Sequence, residues 1–258
     1  MSKLVFITGA SSGIGQALAL RFSRAGWRLA LVVRRTAEVK AWADAQTINP
    51  ASYSIYSADV ANVDSIVAAA NACITRQGLP DVVIGSAGIS IGMDSSVRED
   101  LDVMVQTFAT NNVGLAATFH PFIDAMINRG SGALVGIASV AGIRGLPGHG
   151  AYCASKAGVI AYCESLRGEL KPAGLKVVTI CPGYINTPLT QKNRYSMPFL
   201  MQAEKFADQA FAEIQAGSSY QVIPWQMGWV AKLLRLLPNA IFDIALSGRA
   251  RKQRKSAD

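Results

Sequence analysis

The chain has 258 residues, half of them apolar and 16% charged, with a formal net charge of +8. That composition can fill the core of one large domain and excludes a disordered polymer. No apolar run reaches the roughly 18 residues that a spanning helix needs. With His120 and His149 as the only histidines, no metal site is expected.

The chain opens on a basic flank, Met1 to Lys3, and a short apolar stretch, Leu4 to Ile7. A secretory leader needs a longer apolar region and a small-residue cleavage site, so this segment reads as a first buried strand, Lys3–Thr8. Further strands are expected at Arg28–Val33, Ser52–Ser57, Asp81–Gly85, Gly132–Ala138 and Lys176–Cys181. Between them, helical patterns cover Gly13–Ala25, Ala37–Ile48, Val63–Gln77, Val97–Arg129 (with a break near Phe108) and Gly150–Leu170. Short apolar strands alternating with helices predict an α/β fold, a doubly wound parallel sheet of Rossmann type in three α/β/α layers. No linker or repeat divides it, so residues 1–258 read as a single domain. After Pro182 the pattern changes to a Pro-interrupted loop, then helix-like Met201–Ala216, a last strand Ser219–Ile223 and an apolar helical stretch Trp225–Arg249.

The four cysteines, Cys73, Cys153, Cys163 and Cys181, have no paired spacing and read as reduced, buried thiols of a cytoplasmic protein. Arg249, Arg251, Lys252, Arg254 and Lys255 concentrate the positive charge at the C-terminal end. A solvated, frayed end is the first explanation. Nucleic acid is not expected as a partner, because basic residues are not spread over a folded face with aromatics.

Two local patterns carry chemistry. Thr8-Gly9-Ala10-Ser11-Ser12-Gly13-Ile14-Gly15 follows the first strand and opens the first helix. Glycines there permit a tight turn and close approach of backbone N–H groups to a pyrophosphate, and the helix N-terminus favours the anion. An ordinary strand-to-helix turn would use the same residues. Tyr152 and Lys156 stand four residues apart, so on a helix they lie one above the other. A nearby ammonium favours the phenolate, which would let a tyrosine move a proton on and off an alcohol oxygen near neutral pH. On its own this spacing also occurs on solvated helix faces.

Taken together and in order, these motifs resemble the short-chain dehydrogenase/reductase family over about residues 3–190. Gly9, Gly13 and Gly15, with Ser11, Ser12 and Ile14, match its cofactor turn. Asp59, followed by Val60, matches the acidic residue at the adenine. Ser86, Ala87 and Gly88 stand where the family usually has Asn-Ala-Gly; serine makes fewer hydrogen bonds to the central sheet. Asn111 matches the family's helix asparagine, and Ser139 precedes Tyr152 by thirteen residues. Pro182, Gly183, Ile185 and Thr187 match the segment at the nicotinamide end. The resemblance implies hydride transfer between nicotinamide C4 and a carbonyl or alcohol carbon. Tyr152 would be the proton donor or acceptor and Ser139 would orient the substrate oxygen. Lys156 would depress the Tyr152 pKa and bond the ribose. Asn111 would hold a relay water, and Thr187 would orient the carboxamide. Asp59 could equally cap the helix that starts at Val63, and Asn111 could be a polar kink in a long helix.

The second strand ends Leu31-Val32-Val33-Arg34-Arg35-Thr36, with no carboxylate before Glu38. NAD enzymes of this fold usually place an acid there, whereas arginines suit a 2′-phosphate. NADP (NADPH) is therefore favoured over NAD, with Arg34 the foremost contact. Two arginines opening a surface loop would need no ligand.

Residues 186–216 read as a substrate lid. Leu189, Met197, Phe199, Leu200 and Met201 would form an apolar wall for a lipophilic carbonyl or alcohol, or simply pack the lid down. Lys192 and Arg194 are the strong anion-binding groups in that stretch. Residues 225–258 form an apolar and basic extension that could pack on a partner subunit of a homodimer or homotetramer, or lie on an anionic membrane. Cys153 points to another helix face than Tyr152, and His149 could lie near the site mouth, although a loop histidine reads first as a surface residue. The competing function is an NADP-binding redox sensor or scaffold without turnover; the filled Asn111, Ser139, Tyr152 and Lys156 positions disfavour it. An epimerase of the same fold would need a larger C-terminal domain.

Overall fold

The computed structural model of the protein describes residues 2–191, 193, 195–247, 252 and 254. In chain order the elements are β1 (Leu4–Thr8), α1 (Gly13–Arg24), β2 (Arg28–Val33), α2 (Thr36–Ala45), β3 (Tyr53–Ser57), α3 (Val63–Gln77) and β4 (Val82–Gly85). Then come α4 (Asp100–Phe108), α5 (Gly114–Arg129), β5 (Ala133–Ile137), α6 (Gly150–Leu170) and β6 (Lys176–Pro182). The chain continues with β7 (Ile185–Asn186), α7 (Pro188–Gln191), β8 (Met201–Gln202), α8 (Ala203–Ala216), β9 (Tyr220–Ile223), α9 (Trp225–Leu236) and α10 (Asn239–Leu246).

Seven strands form one parallel sheet in the order β3-β2-β1-β4-β5-β6-β9. The order reverses between β1 and β4, so their carboxyl ends, Thr8 and Gly85, face each other in register at the switch point. Side chains of β1 alternate: Leu4 and Phe6 join one core with Phe119, Phe122 and Leu134, while Val5 and Ile7 join the other with Leu18, Phe22 and Phe206. Both faces of the sheet are thus covered, which is why its strands read as unbroken apolar runs.

The long helical pattern of residues 97–129 starts at Asp100 and breaks near Phe108, as its sequence suggests. The break is one wide π turn, Ala109–Val113, between α4 and α5. Asn111 lies in that turn, where one extra residue per turn re-aims a side chain.

Three readings need correction. Residues 203–216 are not lid: α8 lies in the outer helical layer against α1, burying Phe206, Ala207, Ala210 and Ile214. The Arg21–Asp208 ion pair and the Phe22–Phe211 edge contact fasten it there. Helix α3 is capped by Asn62, whose side chain accepts from Ser65 N at 3.0 Å, and not by Asp59. The C-terminal basic cluster is not wholly frayed, since Lys252 is half-buried and Arg254 is ion-paired to Asp100. Arg249, Arg251 and Lys255 lie outside the described residues, as do Lys192 and Arg194.

Candidate active site at the carboxyl edge of the sheet

The glycine turn is built backbone against backbone. Gly9 has φ +69°, and a Cβ there would meet the Ala87 backbone at 2.8 Å. A Cβ on Gly15 would strike the Gly9 carbonyl oxygen, and one on Gly13 (φ +56°) would come within 3.2 Å of Thr187. The turn therefore leaves a shallow cradle between α1 and Thr187 that any larger residue would fill. Ser12 is the N-cap residue of α1 and makes no side-chain cap bond; no acidic residue sits in the first turn. The positive end of α1 is left facing the cradle. Ser11 contributes its carbonyl to Gln16 Nε2 at 3.3 Å, and Ile14 packs against the core below. These features fit a dinucleotide's pyrophosphate.

At the end of β2, Arg34 and Arg35 differ. Arg35 is held by Glu38 at 2.8 Å, an i,i+3 pair at the start of α2. Arg34 is mostly exposed and only loosely paired, 3.8 Å from Asp59. Asp59 also closes its own turn, with Oδ1 accepting from Ala61 N at 3.0 Å. Val60 is buried beneath Gly114, whose missing Cβ permits that approach. Arg34 is thus the guanidinium that is available, beside the acid the resemblance assigns to adenine.

Across the switch point, the amides of Ser86 and Ala87 both donate to Thr8 Oγ1, at 3.2 and 3.3 Å. A hydroxyl on β1 thereby locks the loop after β4. Gly88 lies where a Cβ would be 3.2 Å from Asn111 Oδ1 and 3.5 Å from Lys156 Nζ. On the other flank, Pro182 ends β6, Gly183 N donates to Ile223 O at 2.8 Å, and Ile185 is buried. Thr187 is buried and caps α7, accepting at its carbonyl from Thr190 N and Gln191 N.

Asn111, Ser139, Tyr152 and Lys156 converge between these flanks. The Asn111 amide spans two elements. Its Nδ2 donates to Ile89 O at 3.0 Å and Ser155 Oγ at 2.9 Å, and its Oδ1 accepts from Ile89 N at 2.9 Å. Lys156 is buried on α6, with Nζ donating to Ile137 O at 2.7 Å and lying 5.9 Å from the Tyr152 ring centroid. Burial pushes Lys156 down to about 8 and Tyr152 up to about 12. The Ser139 hydroxyl, hydrogen-bonded to the phenol, pulls the latter the other way. Desolvation of the buried phenol is the largest cause of its rise. Ser139 is also buried and accepts from Ala141 N at 3.1 Å, which fixes its rotamer at the end of β5.

Sequence reasoning missed the aromatic rim. His149 is buried, not a surface residue; its Nε2 lies 3.3 Å from the Tyr195 hydroxyl, and burial lowers its pKa. The Tyr195 ring stands between those of His149 and Tyr184, with centroids 5.7 and 6.3 Å away. Met93 Sδ accepts from Ala151 N at 3.1 Å, next to Tyr152. His149 immediately precedes α6 in the chain, which puts it at the site mouth that the sequence allowed for it. Cys153 is buried beside Tyr152 with its pKa raised by burial, so it is an inert thiol. Among the described residues no cluster of metal-ligating side chains occurs.

A doubly wound sheet with a glycine turn at its switch point and this Tyr, Ser and Lys set beside it defines a nicotinamide-dependent oxidoreductase. The chain belongs to the short-chain dehydrogenase family, whose profile, described as short chain dehydrogenase, matches residues 3–197. It is 34% identical to an uncharacterized oxidoreductase of Myxococcus xanthus, over 94% of this chain and 96% of that one. It is 37% identical to a dehydrogenase/reductase SDR family protein 7-like of Drosophila melanogaster, over 73% of this chain and 59% of that one. Among solved structures it superposes with a TM-score of 0.76 on a short-chain dehydrogenase from Sphingobium yanoikuyae in complex with NADPH. That pair shares 25% identity over 92% of this chain and 97% of the other. A short-chain dehydrogenase from Streptomyces avermitilis, 24% identical over 90% of this chain and 92% of that one, shares the fold with a TM-score of 0.78.

Proposed function

We propose that this enzyme interconverts a lipophilic carbonyl compound and its secondary alcohol with NADP(H). The observation that carries the reading is the meeting of the Tyr152 hydroxyl, its Ser139 partner and the Lys156 ammonium beside the glycine cradle. The bound dinucleotide would give or take the hydride. Gly9, Gly13 and Gly15, with Ser11, Ser12 and Ile14, would hold its pyrophosphate. Arg34 would meet the 2′-phosphate, with Arg35 nearby, and Asp59 and Val60 the adenine. Ser86, Ala87 and Gly88 would flank the ribose, and Pro182, Gly183, Ile185 and Thr187 the nicotinamide end.

Tyr152 then donates its hydroxyl proton to the substrate oxygen in reduction and accepts it in oxidation. Burial favours the neutral phenol over the phenolate, so Tyr152 holds its proton in the absence of substrate. Ser139 holds the substrate oxygen against that hydroxyl. Lys156 keeps a positive charge beneath it and reaches the ribose, and Asn111 lines the proton route from Lys156. Leu189, Phe199 and Leu200, all substantially exposed before α8, support an apolar substrate. Purified protein should oxidise NADPH faster than NADH when screened against ketones, quinones and acyl substrates. Cofactor binding with no turnover on any of them would favour the sensor reading.

The assembly is the second part of the proposal. Met104, Val105 and Val113 leave an apolar strip exposed along α4 and the π turn, which supports a homo-oligomer through the long helices. Sedimentation velocity that gives a monomer at micromolar concentration would end that part. On α9, Trp225, Trp229, Leu233 and Leu236 form one exposed stripe, at 68, 66, 63 and 81% exposure. The helix has no acidic residue and carries Lys232 and Arg235. Apolar stripe and positive charge together suit an anionic lipid surface. No helix among the described residues is long and apolar enough to cross a membrane. The protein should float with vesicles containing phosphatidylserine, and failure to float excludes this contact.

A further inference from the structure

The C-terminal end carries an interaction that the site described so far does not use. Arg254 reaches Asp100 across 154 residues of chain, with Nε 2.6 Å from Oδ2 and a second nitrogen 3.0 Å from Oδ1. Asp100 is buried at the start of α4, and this two-pronged contact is its ion pair. Arg254 also bridges, in parallel, to Gly92. The guanidinium holds the Asp100 carboxyl below the usual carboxylate range.

What the pair fastens is the loop after β4. Asp100 Oδ2 accepts from Asp94 N at 2.6 Å. Next to Asp94, Met93 donates its amide to Gly148 O at 3.1 Å and takes the Ala151 amide on its sulfur. At its other end the same loop is pinned by Asn111 at Ile89 and lies against Lys156 at Gly88. The loop thus spans from the Lys156 side of Tyr152 to the His149 side. Two residues before Arg254, half-buried Lys252 lies close enough for its charge to act on His149.

We propose that Arg254 is a positioning residue for the substrate side of this site. By clasping Asp100 it holds loop 88–94 in place as the wall beside Tyr152, so the C-terminal segment sets substrate affinity. The proposal rests on the oxidoreductase reading above, and its test separates the two. A bidentate guanidinium–carboxylate bond is strong because both partners are charged and the geometry is planar; lysine can replace the charge but not the fork.

In the full-length protein, Arg254→Ala should speed amide hydrogen exchange at residues 89–94 and at Ala151 by about tenfold or more, with β1 unchanged. The substrate KM should rise by about fivefold to tenfold, while kcat and the KM for NADPH stay within about twofold. Arg254→Lys should recover part of both effects. An unchanged exchange pattern at residues 89–94 overturns the clasp, whatever the kinetics. Faster exchange with an unchanged substrate KM overturns the wall. If no carbonyl compound is turned over at all, the oxidoreductase reading fails and the exchange data still decide the clasp.

Discussion

The two sides of the site are held by different kinds of contact. On the cofactor side the chain meets itself backbone to backbone. Gly9 abuts Ala87, Gly15 abuts Gly9, and the amides of Ser86 and Ala87 share the Thr8 hydroxyl. On the substrate side, side chains from distant segments do the holding: His149 with Tyr195, Met93 with the Ala151 amide, Asp100 with Arg254. Backbone contacts leave no room for variation and bind a ligand common to many enzymes. Side-chain contacts can be exchanged one at a time, which suits the half of a site that must match a particular substrate.

The comparison is broken most severely between the two sides, at the proton. Tyr152→Phe keeps the ring and removes the transferable hydrogen, so kcat should fall by about a thousandfold or more with NADPH affinity within about threefold. Steady-state kinetics and cofactor titration check this, and normal turnover by the variant would remove Tyr152 from the mechanism.

Next in size is a charge effect. Lys156 is buried with its pKa lowered to about 8 from 10.5, so the unfolded chain binds more protons between those values. Its contribution makes stability rise with pH across that window, by on the order of 3 kcal/mol in total. Denaturant melts of wild type and Lys156→Met from pH 7 to 11 should diverge in slope there. Parallel curves would mean that the ammonium is not desolvated as the structure has it.

Backbone packing on the cofactor side should be less forgiving than any single substrate-side contact. Gly15→Ala drives a methyl into the Gly9 carbonyl and should lower stability by about 2 kcal/mol and abolish measurable NADPH binding. An unaffected dissociation constant would show that the turn can yield. The smallest expected effect lies at the rim. Arg34→Ala should cut the preference for NADPH over NADH by about tenfold, the loss of one charge-assisted phosphate contact. Equal losses for both cofactors would shift the 2′-phosphate away from Arg34.

Much of this was legible because it is local. Apolar runs of strand length, the glycine spacing after β1 and the four-residue offset of Tyr152 and Lys156 each express the geometry of one element and its nearest turn. So does the break in the long helix around Asn111. The cap of α3 shows the limit even at short range: Asp59 reads as a possible cap, and the structure puts Asn62 in that place while Asp59 closes its own turn. Helix α8 falls within the stretch 186–216 that reads as lid, and packing against α1 puts its apolar residues in the core instead.

By itself, then, the order of residues determined the doubly wound sheet, the glycine turn after β1 and the four-residue offset of Tyr152 and Lys156. Those depend on periodicity and on spacings of a few residues, which the covalent chain carries directly. Only the tertiary structure decided that Tyr152 and Lys156 are desolvated, that His149 is buried against Tyr195, and that Arg254 holds Asp100. Burial and long-range pairing depend on which segments pack together, and no local spacing records that.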